Sequence, residues 1–189
     1  MVFTTQDVKQ LLQEALQQAQ SEPDTGKTTQ KININRSGNW VKALAEQFIK
    51  RYEGDPEIKI ISKSDSSGRK DFGLNELLYD IVVCRVEEAE SPAGTKKLSF
   101  IKEVLWQVES EFAHNIGNVL RDFNKLVLGS AKNKLFIASQ VKKGTENSFL
   151  SVLKPAAGHC TGDVYVSMIP HPSNWIDTEN DVHLWIFKK

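Results

Sequence analysis

Three acidic residues have types and positions suited to metal-assisted chemistry. Two of them, Glu109 and Glu111, stand near the end of the alternating run VLWQVESEF, which predicts a β-strand. Side chains two residues apart on a strand point to the same face, so these two carboxylates are expected to lie side by side. Two carboxylates at such a short distance repel each other, and each raises the pKa of the other. The pair is therefore expected either on a solvated face or held by a cation.

Asp80 is the third candidate oxygen ligand. It interrupts the apolar run LLYDIVV in the middle of a strand predicted over 75–86, and a hairpin connection over 87–96 places that strand beside the one predicted over 98–111. Three carboxylates at one place are hard ligands suited to Mg²⁺ or Mn²⁺. An ion held there can polarise a phosphoryl oxygen and lower the pKa of a bound water for in-line attack.

Two further charged residues are candidates for supporting roles. Lys125, on a helix predicted over 116–128, is expected to come back over the acids and stabilise developing charge. Glu46, on a helix predicted over 37–52, is expected to supply an outer carboxylate. Each also has an ordinary interpretation as a solvated helix residue. Arg121 and Asp122 are interpreted in the same way, as a solvated helix face or an ion pair.

The periodicity of apolar residues predicts an α/β protein, a single domain with a mixed central sheet flanked by helices. Residues 27–36 are predicted as a loop or a short edge strand, so the chain divides into an N-terminal helix and linker (1–36) and a core with C-terminal strands (37–189). The strand, helix and strand around Glu111 should form a right-handed crossover with parallel strands. The remaining predicted elements are helices over 5–20 and 145–153, the latter ended by Pro155, and strands over 57–62, 135–141, 163–169 and 182–187.

The composition is that of an ordinary globular chain. Of 189 residues 40% are hydrophobic and 25% charged, and the 24 basic and 24 acidic residues cancel. This balance disfavours a strongly electrostatic nucleic-acid binder but allows a local basic patch. No apolar run approaches the roughly 20 residues needed to cross a bilayer, and the first residues lack the pattern of a signal peptide. Cys84 and Cys160 lack metal-type spacing, and Cys84 is expected to be a buried thiol, which favours a cytoplasmic protein.

From about Gly38 to Val141 the sequence resembles the PD-(D/E)XK nucleases, the family of restriction-endonuclease-like proteins. Their core has a helix, three antiparallel strands, a helix and a further strand, in the order predicted above. In the resemblance Asp80 of ELLYDIVV corresponds to the first acid, and Glu109-Ser110-Glu111 corresponds to the (D/E)-x-K element. Glu46 of ALAEQF matches an acid often found on the first helix. Tyr79 stands in place of the proline, and Glu111 in place of the lysine.

The resemblance implies Mg²⁺- or Mn²⁺-dependent hydrolysis of phosphodiester bonds in double-stranded DNA. It makes Asp80 and Glu109 metal ligands together with Glu46, Glu111 the residue that orients or deprotonates the attacking water, and Lys125 a neutraliser of charge at the scissile phosphate. Cutting both strands of a duplex would favour a homodimer. The candidate phosphate contacts lie on two loops, at Lys63, Arg69, Lys70, Lys142 and Lys143.

Two other functions are compatible with the same residues. A nuclease-like fold without an active metal site would serve as a binding or regulatory module. An unrelated α/β interaction protein would instead pair its acids with Lys102 or Arg121. A serine or cysteine hydrolase is disfavoured, because Cys84 lies inside a predicted strand and no nucleophile-elbow pattern occurs.

Overall fold

A computed structural model describes residues 3–63, 77–92, 94, 96–175 and 181–188. The helices are α1 (Thr5–Ser21), α2 (Thr29–Arg51), α3 (Ile116–Leu128) and α4 (Glu146–Gly158), with a short 3₁₀ turn at Pro172–Asn174. The strands are β1 (Ile58–Ser62), β2 (Ile81–Glu90), β3 (Lys97–Glu111), β4 (Asn133–Ser139), β5 (Asp163–Ile169) and β6 (His183–Lys188).

The six strands form one mixed sheet in the order of the chain. Strands β1, β2 and β3 are antiparallel neighbours, β3, β4 and β5 are parallel, and β6 returns antiparallel to β5. The predicted α/β class and the parallel pairing of the two strands around α3 are therefore confirmed. Within the described residues, none of the helices has the length and apolar character required to cross a membrane.

Helices cover both faces of this sheet. Helices α1 and α2 pack on one face, where Trp40 and Phe48 meet Trp106 of β3 in a fully buried cluster. Helices α3 and α4 pack on the other, where Phe123 lies edge-on to Phe136 of β4 with 5.2 Å between the ring centroids. Cys84 is buried on this second face as predicted, and burial raises the pKa of its thiol to about 11.

The prediction of a loop or edge strand over 27–36 is wrong, because α2 begins at Thr29. The hydroxyl of Thr28 accepts a hydrogen bond from the Lys31 N–H (3.2 Å) and caps the helix. Arg36 is buried and donates two hydrogen bonds to Asp24 (2.7 and 2.6 Å) and one to the carbonyl of Pro172 (2.6 Å). These contacts anchor a polar stretch that has little apolar surface of its own, so the boundary at residue 36 falls inside a helix.

Helix α4 is longer than predicted and contains Pro155 rather than ending before it. Proline removes a helical hydrogen bond and costs stability in a helix interior. The buried side chains Leu150, Leu153 and Ala157 lie on both sides of it and form one stripe against the sheet, while Pro155 itself is exposed. Tertiary packing therefore stabilises the helix on both sides of the proline.

Lys134 ties two turns together at the amino ends of the parallel strands. It is fully buried on β4, and its Nζ donates to the carbonyl oxygens of Ala131 (3.0 Å) and Thr161 (2.7 Å) and to the Thr161 hydroxyl (3.0 Å). These bonds join the turn before β4 to the turn before β5. A buried acceptor that loses its donor costs its desolvation free energy.

We expect Lys134→Met, which keeps an unbranched side chain but lacks the terminal ammonium group, to lower the free energy of unfolding by about 2–4 kcal/mol. Urea unfolding measures the change. Lys132→Met is the matched control, because Lys132 is 64% exposed and its ion pair with Glu103 is worth at most about 1 kcal/mol. Equal stability of the two variants would contradict a structural role for Lys134.

Candidate active site at the carboxyl end of β3

Asp80 lies just before β2, beside the end of β3. Ile81 pairs with Val108, so the preceding residue reaches the backbone of Ser110, whose N–H donates to Asp80 Oδ2 (2.9 Å). The prediction that Asp80 occupies the middle of a strand is therefore wrong. Its side chain instead accepts a hydrogen bond from a backbone N–H of the neighbouring strand. The result still places this carboxylate next to the Glu109–Glu111 segment.

Glu109 is the most unusual side chain of the group. It is only 4% exposed, and its Oε1 accepts a hydrogen bond from Lys125 Nζ (2.6 Å). Its other oxygen, Oε2, is buried without a hydrogen-bond partner among the described residues. Burial, and after it the negative charge of Asp80, raises the pKa of Glu109 to about 7. The carboxyl group is therefore poised between its neutral and charged forms near neutral pH.

Lys125 returns from α3 onto this carboxyl group, where the sequence placed it. Its Nζ also contacts Asp122 Oδ1 (3.0 Å), one helical turn earlier. Burial alone would lower the pKa of Lys125, but the hydrogen bonds to Glu109 and Asp122 outweigh burial and raise it. The hydroxyl of Tyr79, next to Asp80 in the chain, donates to the Lys125 carbonyl oxygen (3.0 Å) and joins the start of β2 to α3.

Glu111 and Asp122 form a second carboxylate pair beside the first. Glu111 Oε1 accepts a hydrogen bond from the Ala113 N–H (2.6 Å), and its carboxyl group shares a hydrogen bond with Asp122. Burial and this neighbouring carboxylate raise the pKa of Glu111. The pKa of Asp122 is lowered, because Glu111 and Lys125 outweigh the effect of its own burial. Of two such groups, Glu111 is the one that holds the proton more tightly.

The two glutamates lie on the same face of β3, as the two-residue spacing predicts. Both reach side chains of α3, whereas the intervening Ser110 turns towards α2, where its Oγ accepts a hydrogen bond from Trp40 Nε1 (3.0 Å). The strand end is thus held between the two helical layers. Its acids face α3, and its hydroxyl faces α2.

Of the remaining predicted site residues that the structure describes, Lys63 shares a groove with Asp80 and the others lie elsewhere. Glu46 accepts a hydrogen bond from Gln18 at the contact between α1 and α2, so its carboxylate serves that interface.

The predicted basic contacts among the described residues are spread over two places. Lys63, directly after β1, lines a groove with Asp80, while Lys142 and Lys143 are exposed in the turn after β4. The predicted contacts Arg69 and Lys70 lie outside the described residues. Lys102, an alternative partner for the acids, instead pairs with Glu87.

Sequence reasoning left Asp122 and Tyr79 out of the site. Asp122 stands three residues before Lys125, a spacing that puts both on one helix face, and that spacing was the available signal. Tyr79 occupies an apolar run and gives no local sign that its hydroxyl reaches α3.

The donor set suits a hard divalent cation. Asp80 and Glu109 are neighbouring carboxylates, and the partnerless Glu109 Oε2 is a buried acceptor that a cation would satisfy. Mg²⁺ is usually held by one or two carboxylates and completes its shell with water and substrate phosphates. Within the described ranges, no three His, Cys, Asp or Glu side chains are grouped to hold a metal on their own. A cation here would therefore depend on water or substrate oxygens.

Comparison of the chain with protein-family models, with curated proteins and with solved structures finds no match.

Proposed function

We propose that this chain is a Mg²⁺-dependent nuclease that hydrolyses phosphodiester bonds in DNA, with a core of the restriction-endonuclease-like type. The observation that carries the proposal is the buried Glu109 carboxyl group, with one oxygen bonded to Lys125 and the other partnerless beside Asp80. The order of elements supports it. A helix, three antiparallel strands, a helix and a parallel strand match the core that the sequence resemblance implies.

Each residue of the site has a defined task in this proposal. Asp80 and Glu109 would hold the cation, which, when bound, polarises the phosphoryl oxygen and acidifies a water molecule. Glu111 orients the attacking water and, in its ionised form, accepts a proton from it; the raised pKa makes that carboxylate a stronger base. Lys125 donates to a phosphate oxygen and offsets the negative charge that develops in the transition state.

The substrate in this proposal is double-stranded DNA. Lys63 lines the same groove as Asp80 and would contact the backbone of the strand being cut, and Lys142 and Lys143 offer exposed positive charge after β4. Phosphate contacts of this kind position a nucleic acid without reading its sequence. Two copies of the chain would be needed to cut both strands in one encounter, so a homodimer belongs to the proposal.

A catalytically degenerate binding or regulatory protein is the second candidate. The observation in its favour is the contact of Lys125 with both Glu109 and Asp122, because it already compensates the negative charge that would attract a cation. In that case the acids and Lys125 form a structural network, and DNA binding would be independent of divalent ions.

Calorimetric titration with Mn²⁺ or Mg²⁺ separates the two candidates. The nuclease proposal predicts binding to the wild type, alone or with duplex DNA present, and its loss in Asp80→Asn and Glu109→Gln. Glu53→Gln, an exposed residue in the turn after α2, is the matched control and should bind like the wild type. Nicking of a plasmid should follow the same pattern. DNA binding without metal binding or nicking would favour the degenerate protein.

A further inference from the structure

A groove opens on the α2 side of the candidate active site. It has a volume of about 430 Å³ and lies between α2 and the end of β3, with Asp80 and Ser110 at the end nearest the site. Sites for small organic groups usually have volumes of roughly 300–1,000 Å³. The groove is therefore large enough for an organic ring system next to the reacting carboxylates.

The walls of this groove combine apolar and basic groups. Val41 and Phe112 supply apolar surface, and Lys42 and Lys63 supply positive charge. The backbone of Phe112 is held by a hydrogen bond from Ser139 Oγ to its carbonyl oxygen (3.0 Å), and its half-buried side chain packs against the core. Lys42 lies 3.7 Å from Glu22, an exposed ion pair of the kind that is worth little and is readily exchanged for another anion.

We propose that this groove receives one unstacked nucleobase of the strand that is cut, with the base packed on Phe112 and its flanking phosphate held by Lys42 and Lys63. The inference rests on the proposed nuclease function and adds to it a requirement on the substrate. Asp80 joins the two places, because it lines the groove and also acts electrostatically on Glu109. In this proposal, a phosphate bound over these two acids directs its own nucleoside into the groove.

The chemistry of the groove selects an unstacked base over a paired one. Bases in a duplex are covered above and below by their neighbours, so only a base that has left the stack can enter a concave apolar site. Every base has a π-face, so packing on an aromatic ring tolerates any sequence. The double-stranded substrate should therefore be opened locally at the position of the cut, and a single strand presents its bases to the groove without that unpairing cost.

The structure offers a pair of glycines for the test. A Cβ added at Gly38, which lines the groove, would meet no atom within 4 Å, and the same holds for Gly158 at the far end of α4. Gly38→Leu therefore adds a side chain to the groove lining at a position where a Cβ has open space, and Gly158→Leu is its matched control. Phe112→Leu removes the ring and keeps an apolar side chain towards the core.

The experiment measures the binding of fluorescein-labelled single-stranded DNA by anisotropy, and its hydrolysis in Mg²⁺, with an abasic position moved along the strand. We expect Gly38→Leu and Phe112→Leu each to weaken binding on the order of tenfold, with Gly158→Leu equal to the wild type. One abasic position should cause a similar loss in the wild type and almost no further loss in Phe112→Leu, since both remove the same contact.

Two results would overturn the inference. Affinity that is insensitive to both groove variants, or an abasic effect that simply adds to that of Phe112→Leu, excludes a base in the groove even when hydrolysis is intact. Absence of hydrolysis for every DNA instead contradicts the nuclease proposal, and the anisotropy measurements still report whether the groove holds a base. The two failures are thus distinguishable.

Discussion

Glu109→Gln is expected to reduce hydrolysis at least about 100-fold, the scale of losing one group that stabilises charge at a reacting centre, and to make the protein more stable than the wild type at pH 8. The loss of activity follows from the proposal that Glu109 holds the cation. The gain in stability follows from burial, because a carboxylate that is 4% exposed with a partnerless oxygen is costly to keep charged.

The sign of the pH dependence comes from the raised pKa. A free glutamate titrates near 4.5 and the native Glu109 near 7. Between these values the folded state binds more protons than the unfolded state, so the free energy of unfolding falls as the pH rises. Glutamine does not ionise, so its burial adds no pH-dependent cost to folding. The variant should therefore exceed the wild type by about 1–3 kcal/mol at pH 8, and the difference should shrink as the pH is lowered towards 4.5.

Urea unfolding in the presence of a chelator, at pH 5.5 and at pH 8, measures this difference in the metal-free protein. Glu53→Gln serves again as the control, since its exposed side chain should leave both values unchanged. A Glu109→Gln variant that is less stable than the wild type at pH 8 would contradict the argument that burial of the charged Glu109 carboxylate is unfavourable. Full hydrolytic activity of the same variant would contradict the proposed metal ligand.

The elements that hold the site were predictable because their apolar periodicity is local and strong. The stripe of Val119, Phe123 and Leu126 gives α3 with the bounds that the structure has, and the apolar run of β4 follows after a short turn. Together they bring Lys125 back onto β3. The two-residue spacing of Glu109 and Glu111 then predicts their common face without any knowledge of the fold.

The errors in the prediction occur where distant contacts decide the local structure. Residues 29–36 form a helix because Arg36 finds Asp24 and the Pro172 carbonyl, and the latter lies 136 positions away. Glu46 has a helical position compatible with the active site, but α1 packs against that side of α2 and Gln18 takes its carboxylate. The residues around Glu46 do not predict its contact with Gln18, and the residues around Arg36 do not predict its contact with Pro172.

Lys125→Met is expected to destabilise the protein by about 2 kcal/mol at pH 8, within the range for a hydrogen bond between charged groups, and by less at pH 6. The lysine offsets the negative charge of Glu109 and Asp122 at distances of 2.6 and 3.0 Å. Without it, the pKa of Glu109 rises further above its value of about 7. Folding then takes up a proton over a wider pH range, so the deficit grows as the pH increases.

A double-mutant cycle with Glu109→Gln isolates the pair. If the Lys125–Glu109 contact carries most of the effect, Lys125→Met should cost much less at pH 8 when Glu109 is already glutamine, and the remainder reports the contact with Asp122. Lys154→Met, an exposed lysine on α4, controls for the loss of a surface charge. The loss of stability in Lys125→Met could instead be independent of pH and unchanged in the Glu109→Gln background. That result would mean that Lys125 stabilises the protein through the packing of its aliphatic chain. The charge compensation at this site would then have to be assigned to another residue.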